Sequence, residues 1–158
     1  MPLEIERKFL VAGTPWQGLP GIWCRQGYLN LGPGNTVRVR VAAGQGYLTV
    51  KGASRGAVRS EFEYPIPVTD AEEILHELCL QPIIDKTRYL IKHAGLTWEI
   101  DVFAGENQGL VIAEVELDDE QQTITLPPWA GKEVTGDQRY FNAYLVNHPY
   151  VNWPDAST

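Results

Sequence analysis

Acidic and basic side chains recur at every second position in several short runs of this chain. In EIERKFL, Glu4, Glu6 and Lys8 alternate with Ile5, Arg7 and Phe9. Arg38 and Arg40 share one parity in TVRVRV, and Lys51 shares one with Tyr47 and Thr49 in YLTVK. VRSEFEYPI sets Arg59, Glu61 and Glu63 together, DKTRYL sets Lys86 with Arg88, TWEIDVF sets Glu99 with Asp101, and VIAEVEL sets Glu114 with Glu116. Paired carboxylates attract cations, whereas Arg and Lys pairs suit anions such as phosphates. Eight acids against seven bases leave the set near neutral, so it would hold a polyanion only together with metal ions.

A spacing of two is the signature of β-strands, whose successive side chains point to opposite faces. Amphipathic strands with their polar face in water would alternate in the same way. Two features argue for more. Like charges are neighbours, and at about 6.6 Å they repel by roughly 0.6 kcal/mol in water, or about 2.5 kcal/mol at an effective dielectric of 20. A solvated face would mix its signs and carry more Ser, Gln and Asn. If the strands close into a barrel, the charged parity becomes the lumen and the apolar parity faces outward beneath the helices.

Eight segments carry the β pattern, at 3–11, 22–30, 36–42, 47–53, 58–66, 85–93, 96–103 and 110–118. Turn chemistry in GPGN (32–35), AGQG (43–46) and HAG (93–95) makes the joints too short for parallel crossovers. TDAEEILHELCL predicts a helix with a capping box from Thr69 to Glu72 and a stripe of Ala71, Ile74, Leu75 and Leu78. GDQRYFNAYLVN predicts a second helix with a stripe through Tyr140, Phe141, Tyr144 and Leu145, and 118–123 has the makings of a helical turn. The expectation is one domain over 1–158, with about 148–158 as a frayed tail. The fold class is a β-dominated α+β protein: an eight-stranded antiparallel closed barrel with a charged lumen and a few flanking helices.

With 158 residues and a net charge of -7, the chain can bury a real core but offers no basic surface for nucleic acid. No apolar run is long enough for a membrane helix. Cys24 and Cys79, far apart and outside any C-x-x-C, read as reduced thiols of a cytoplasmic protein.

EIERKFL also resembles the Glu-x-Glu-x-Lys signature of the CYTH superfamily, the triphosphate tunnel metalloenzymes. The resemblance continues through RQGYL (25–29), VRVR (37–40), TVK (49–51), EFE (61–63), DKTRY (85–89), EIDVF (99–103), AEVE (113–116), PPWAGKEVT (127–135) and RYFN (139–142). It implies an eight-stranded tunnel that hydrolyses or cyclises triphosphates with magnesium or manganese, and it is nearest to the short bacterial inorganic triphosphatases. By the same resemblance Lys8, Arg38, Arg40, Lys51, Lys86 and Arg88 grip the triphosphate, and Arg59 joins them as a basic member of the face. Glu4, Glu6, Glu114 and Glu116 are implied metal carboxylates, with Glu61, Glu63 and Asp101 as further candidates. Glu4, Glu6, Lys8 and Lys86 are the expected catalytic residues.

Carboxylates without a His/Cys cluster suit magnesium or manganese better than zinc. Basic neighbours of Lys86 would lower its pKa, which opens a general-base role. Tyr28 and Cys24 share a parity with Gln26. His76, His93 and His148 read as surface residues, and neither a P-loop nor a G-x-G-x-x-G run occurs. The leading expectation is metal-dependent hydrolysis of tripolyphosphate to pyrophosphate and phosphate. Its rivals are a thiamine triphosphatase, an adenylate cyclase using Trp16 or Trp23 to stack a ring, and a polyphosphate- or nucleotide-binding protein without turnover. A homodimer through the apolar outer face is compatible with the pattern.

Overall fold

The computed structural model describes residues 3–154. The described residues form nine strands: β1 (Leu3–Val11), β2 (Ile22–Asn30), β3 (Asn35–Ala42), β4 (Gln45–Gly52), β5 (Val58–Ile66), β6 (Ile84–His93), β7 (Leu96–Phe103), β8 (Val111–Glu116) and β9 (Ala130–Glu133). Two α-helices accompany them, α1 (Val68–Glu77) and α2 (Asn142–Asn147). Strands run in the order β5-β4-β3-β2-β6-β7-β8-β1, all neighbours antiparallel, and β1 returns to β5. The alternating strands thus close into the eight-stranded barrel that their parity predicts, which leaves the ring itself without a free edge.

Local sequence explains the tight hairpins. Ala43-Gly44 and Ala94-Gly95 take φ values of 51° and 73°, and of 49° and 82°, as two-residue turns whose twist matches the strands. The seam is short: Leu3, Glu4 and Ile5 face Ser60, Arg59 and Val58. Farther along β1, Phe9 and Val11 pair instead with β9, a strand the sequence does not announce because it is four residues long and mostly exposed. The chain leaving β9 stays on β1, with Val134 N donating to Lys8 O at 2.8 Å and Thr135 Oγ1 accepting from Lys8 N at 2.9 Å.

Three apolar clusters hold the barrel. Phe9, Trp98, Ile100, Ala113 and Val115 point outward beneath Trp16, Ile124 and Trp129. Val39, Ala71, Leu75 and Cys79 join α1 to the outside of β3 and β4. The third cluster has the opposite parity. Tyr28, Ile84, Phe103 and Ile112 occupy lumen positions and pack against Leu145 and Val146 of α2, so one end of the lumen is apolar and filled. Each such side chain contributes about 1.5–3 kcal/mol through burial.

Several expectations are corrected. Pro67, not Thr69, is the N-cap of α1 and no side chain caps it; the helix stops at Glu77, leaving Leu78 exposed and Cys79 buried. The predicted long second helix is broken. Gln138–Tyr140 form a 3-10 turn, Phe141 is extended at φ -78° and ψ 136°, and α2 follows with six residues. Residues 118–123 make a turn held by Gln122 N to Asp119 O at 3.0 Å rather than a helix. The expected tail from 148 is in part packed structure. Tyr150 and Trp153 lie on the third cluster, and Trp153 Nε1 donates to His148 O at 2.8 Å; residues 155–158 of the expected tail lie outside the described residues. The outer face of β5 is bare, with Phe62 and Tyr64 exposed.

Candidate active site

Inside the barrel the charges have found one another. Lys51 Nζ, from β4, donates to both oxygens of Glu4 across the lumen, at 3.1 and 2.9 Å, and lies 3.3 Å from Glu61 of β5. From β3, Arg38 and Arg40 approach Glu63 at 3.7 and 3.6 Å. Lys8 sits between Glu6 and Glu114 at 3.8 and 4.0 Å. On β6 and β7, Arg88 pairs with Glu99 and lays a two-pronged grip on Asp101 at 2.8 and 2.9 Å, while Lys86 donates to Asp101 Oδ2 at 2.7 Å. Antiparallel register produces these encounters: Arg88 faces Asp101, Lys8 faces Glu114, and Lys51 faces Glu61.

The lumen is thus shared by Glu4, Glu6, Lys8, Arg38, Arg40, Lys51, Glu61, Glu63, Lys86, Arg88, Asp101 and Glu114. Arg59 stands apart. Its Nε donates to Gly52 O at 3.0 Å and its guanidinium lies 5.5 Å from the Phe141 ring, at the plugged end and without a carboxylate partner among the described residues. Glu116 is opposite Glu6 on β8 and, like Glu63, is exposed. Asp101 accepts hydrogen bonds from two cations, Lys86 and Arg88, on both of its oxygens.

Electrostatics divide the acids. Burial, then Glu114 and Glu4, push the Glu6 carboxyl well above its ordinary range, against the pull of Lys8. Burial opposes ionisation of Glu114 too, but Lys8, Arg88 and Lys86 overcome it and hold its pKa down to about 2. Glu116 is raised by burial and by Glu4 and Glu61. Glu4 is therefore a neighbour of both crowded groups, one with Glu6 and Glu114 and the other with Glu61 and Glu116. Such crowding of oxygen donors is relieved by a hard cation, and the donor set fits magnesium or manganese. Among the described residues, no three acidic, His or Cys side chains are drawn together closely enough to chelate an ion as they stand.

The bases show the complementary need. Arg40 is made less basic by burial and by Arg38, and Nε of both arginines is buried with no hydrogen-bond partner. An anion placed between them would meet those donors. Lys86 is also made less basic, by burial first and by Arg88, although Asp101 opposes the effect. Its Nζ nonetheless acts as a donor, to Asp101 and, at 3.0 Å, to Asn142 Oδ1.

Four residues of the site go unrecognised in the sequence. Thr49, fully buried, links Arg38 to Glu63, accepting at 3.3 Å and donating at 3.1 Å. Asn142 Oδ1 also accepts from Gln26 Nε2 at 2.7 Å, and Phe141 presents its ring to Lys8 Nζ at 4.7 Å. Parity places Thr49 with Lys51 and Gln26 with Tyr28, a signal available beforehand. Phe141 and Asn142 lie in the RYFN stretch of the family resemblance, but the helical stripe gave Phe141 a packing role only and Asn142 none. Tyr28 and Cys24 are buried on the lumen parity, whereas Trp16 packs outside against Tyr89 and Trp23 is exposed beside Arg25. His76 and His148 are exposed, and His93 is half-buried.

Known proteins resemble this chain in sequence and fold. The CYTH domain profile matches residues 2–142. An inorganic triphosphatase of Acetivibrio thermocellus is 52% identical over 156 residues, spanning 98% of this chain and 100% of that protein. Another, from Nitrosomonas europaea, is 40% identical over 147 residues, spanning 90% and 96%. The crystal structure of an inorganic triphosphatase superposes with a TM-score of 0.66 at 38% identity, covering 92% of this chain and 95% of that one. A Hippeastrum protein, a candidate adenylyl cyclase described as revealing a dominant triphosphatase activity, shares the fold, with a TM-score of 0.57 at 14% identity over 75% of this chain and 80% of its own. The profile spans the barrel and the relatives are similar from end to end: the chain belongs to the CYTH domain family.

Proposed function

We propose that the chain hydrolyses a linear inorganic triphosphate, tripolyphosphate, to pyrophosphate and phosphate with the help of magnesium or manganese. One observation carries this reading: a single lumen brings buried Arg and Lys donors, two of them with unmet Nε groups, against carboxylates too crowded to ionise comfortably together. The similarity to inorganic triphosphatases over nearly the whole chain supports it.

Arg38 and Arg40, with Lys8, Lys51 and Arg88, bind the phosphate oxygens and exchange their present carboxylate partners for them. Glu4, Glu6, Glu114 and Glu116, with Glu61 and Glu63 beside them, would hold the cation, which when bound neutralises phosphate charge and helps to order the attacking water. Asp101 orients Lys86 and Arg88. Lys86 serves as a fixed donor at the inner end; its two acceptors suit that role better than proton abstraction. Phosphoryl transfer asks mainly for positioning and charge stabilisation, and this lumen is built from little else. Trp16 and Trp23 lie away from the lumen and give a nucleoside or thiazolium ring no platform there, which favours the inorganic substrate. Buried free Cys24 and Cys79 suit a reducing cytoplasm.

The test is phosphate release from tripolyphosphate, ATP and thiamine triphosphate with magnesium, manganese or EDTA. Tripolyphosphate should be the best substrate, EDTA should abolish release, and Glu4→Ala should lower kcat/KM at least ~100-fold. Binding without turnover under every condition would sink the reading.

A further inference from the structure

A run of hydrogen bonds crosses the inner lumen, and one end of it fixes its direction. Lys86 Nζ, a group that can only donate, gives to Asp101 Oδ2 at 2.7 Å and to Asn142 Oδ1 at 3.0 Å. That Asn142 oxygen also accepts from Gln26 at 2.7 Å, so the Gln26 atom turned toward it must be the amide nitrogen. The carbonyl oxygen, Oε1, is left over. It is buried, on a side chain of 0% exposure, and meets no hydrogen-bond donor among the described residues. A buried oxygen without a donor costs about 1–3 kcal/mol, so the place beside it calls for a group that donates. The neighbours narrow the choice. Gln26 faces Arg40 of β3 on one side and Ile84 of β6 on the other. Directly opposed side chains start about 5 Å apart, close enough for one small molecule to bridge their polar ends. Arg40 brings a buried Nε–H that is equally without a partner among the described residues. A phosphate oxygen would answer the arginine but would set acceptor against acceptor at Gln26. A cation on Oε1 would be repelled by Arg40 and by Lys86. Water satisfies both groups.

We propose that Gln26 is a catalytic residue that holds the attacking water, a role that rests on the triphosphatase reading above. One O–H of the water donates to Gln26 Oε1, which turns a lone pair of the water oxygen toward the phosphoryl group gripped by Arg38 and Arg40. A bond forms from that oxygen to phosphorus while the bond to the bridging oxygen breaks, and its electron pair leaves with pyrophosphate. One water proton stays on the new phosphate and the other is released with the products. Gln26 takes neither, because an amide oxygen is too weak a base. Its contribution is the position of the nucleophile, which is most of what phosphoryl transfer asks of a protein. Asn142 and Lys86 contribute by polarity: with Lys86 at the head of the run, the Gln26 amide cannot turn over and present its nitrogen to the water.

Gln26→Met keeps the length of the side chain and removes the amide oxygen. With tripolyphosphate and magnesium, kcat should fall about 100-fold, while KM and the magnesium concentration for half-maximal rate each stay within about threefold of the parent values. A residue that only buttressed Lys86 through Asn142 would raise KM, and one that ligated the cation would raise the magnesium requirement. Either result, or an unchanged kcat, would overturn the proposal and leave the triphosphatase reading intact. If the variant does not fold, a crystal structure of the unaltered protein with tripolyphosphate and calcium decides. A water should then lie about 2.6–3.2 Å from Gln26 Oε1 and about 3–3.5 Å from phosphorus, in line with the bridging oxygen. A phosphate oxygen or the ion itself against Oε1, or no water between the amide and the phosphate, would overturn the proposal. Failure of the unaltered protein to hydrolyse tripolyphosphate at all would overturn the triphosphatase reading, and this proposal with it.

Discussion

Lys86 Nζ lies 2.7 Å from Asp101 Oδ2, and the two residues are among the most deeply buried charges of the molecule, at 2% and 1% exposure. Asp101 is held below the usual carboxylate range, against strong burial, by Lys86 and Arg88 together. Removing one member of such a group strands the others. Asp101→Ala should destabilise the protein by about 3–5 kcal/mol, and Lys86→Met combined with Asp101→Asn should recover part of that loss. Thermal unfolding of the two variants would show it; an Asp101→Ala protein as stable as the parent would disprove the organising role.

Glu6 and Glu114 set opposite pH dependences. Glu6 has its pKa raised, so the folded state keeps a proton that the unfolded chain gives up, and stability drains away as pH climbs from the ordinary glutamate value of about 4.3 through the raised one. Glu114 is lowered to about 2, so its contribution is present above the ordinary range and disappears as pH falls toward that value. In the absence of divalent ions at pH 7, Glu6→Gln should raise Tm by about 2–4 °C, corresponding to about 1 kcal/mol. It should also abolish most of the stabilisation given by added magnesium. Melting curves with and without magnesium, at pH 5 and pH 7, test both halves.

Thr49 ties a base to an acid without itself being charged. Thr49→Val keeps the shape and removes the hydroxyl, leaving Arg38 and Glu63 to face each other without their bridge. The expected loss of stability is about 1 kcal/mol. KM for tripolyphosphate should rise several-fold with kcat less affected, because Arg38 is loosened rather than lost. A fall in kcat at constant KM would contradict this.

Ala94 occupies the left-handed region at φ 49° in the β6–β7 turn, a conformation that Asn adopts more readily. Ala94→Asn should stabilise the fold by about 0.5–1 kcal/mol and leave activity unchanged, since the turn carries no lumen side chain. Denaturant midpoints would register the gain.

The barrel was legible because its polar parity is ionic. Val37, Val39 and Val41 against Arg38 and Arg40 leave no doubt about which side chains share a face, and strand bounds follow within a few residues. What stayed hidden depended on tertiary packing. The stripe from Tyr140 to Leu145 is apolar enough for a helix, yet Phe141 is extended because its ring meets Lys8 and Arg59 instead of a helical neighbour. Tyr28, Ile84, Phe103 and Ile112 share the charged parity, and no local pattern says that a distant helix will fill the lumen between them. The Thr69 capping box was overridden by Pro67 two residues earlier, whose fixed φ starts α1 without a side-chain cap.

The three-pair seam between β1 and β5 has a consequence for how the enzyme comes into being. The strand bearing Glu4, Glu6 and Lys8 is synthesised before the other barrel strands described, yet it needs residues 58–60 on one edge and β8, more than a hundred residues downstream, on the other. Such distant pairing carries a high loop-closure cost and belongs late in folding. A nascent or truncated chain therefore holds Glu4 and Glu6 on an unpartnered strand, and the capacity to bind triphosphate should emerge all at once, when that strand is sealed into the ring.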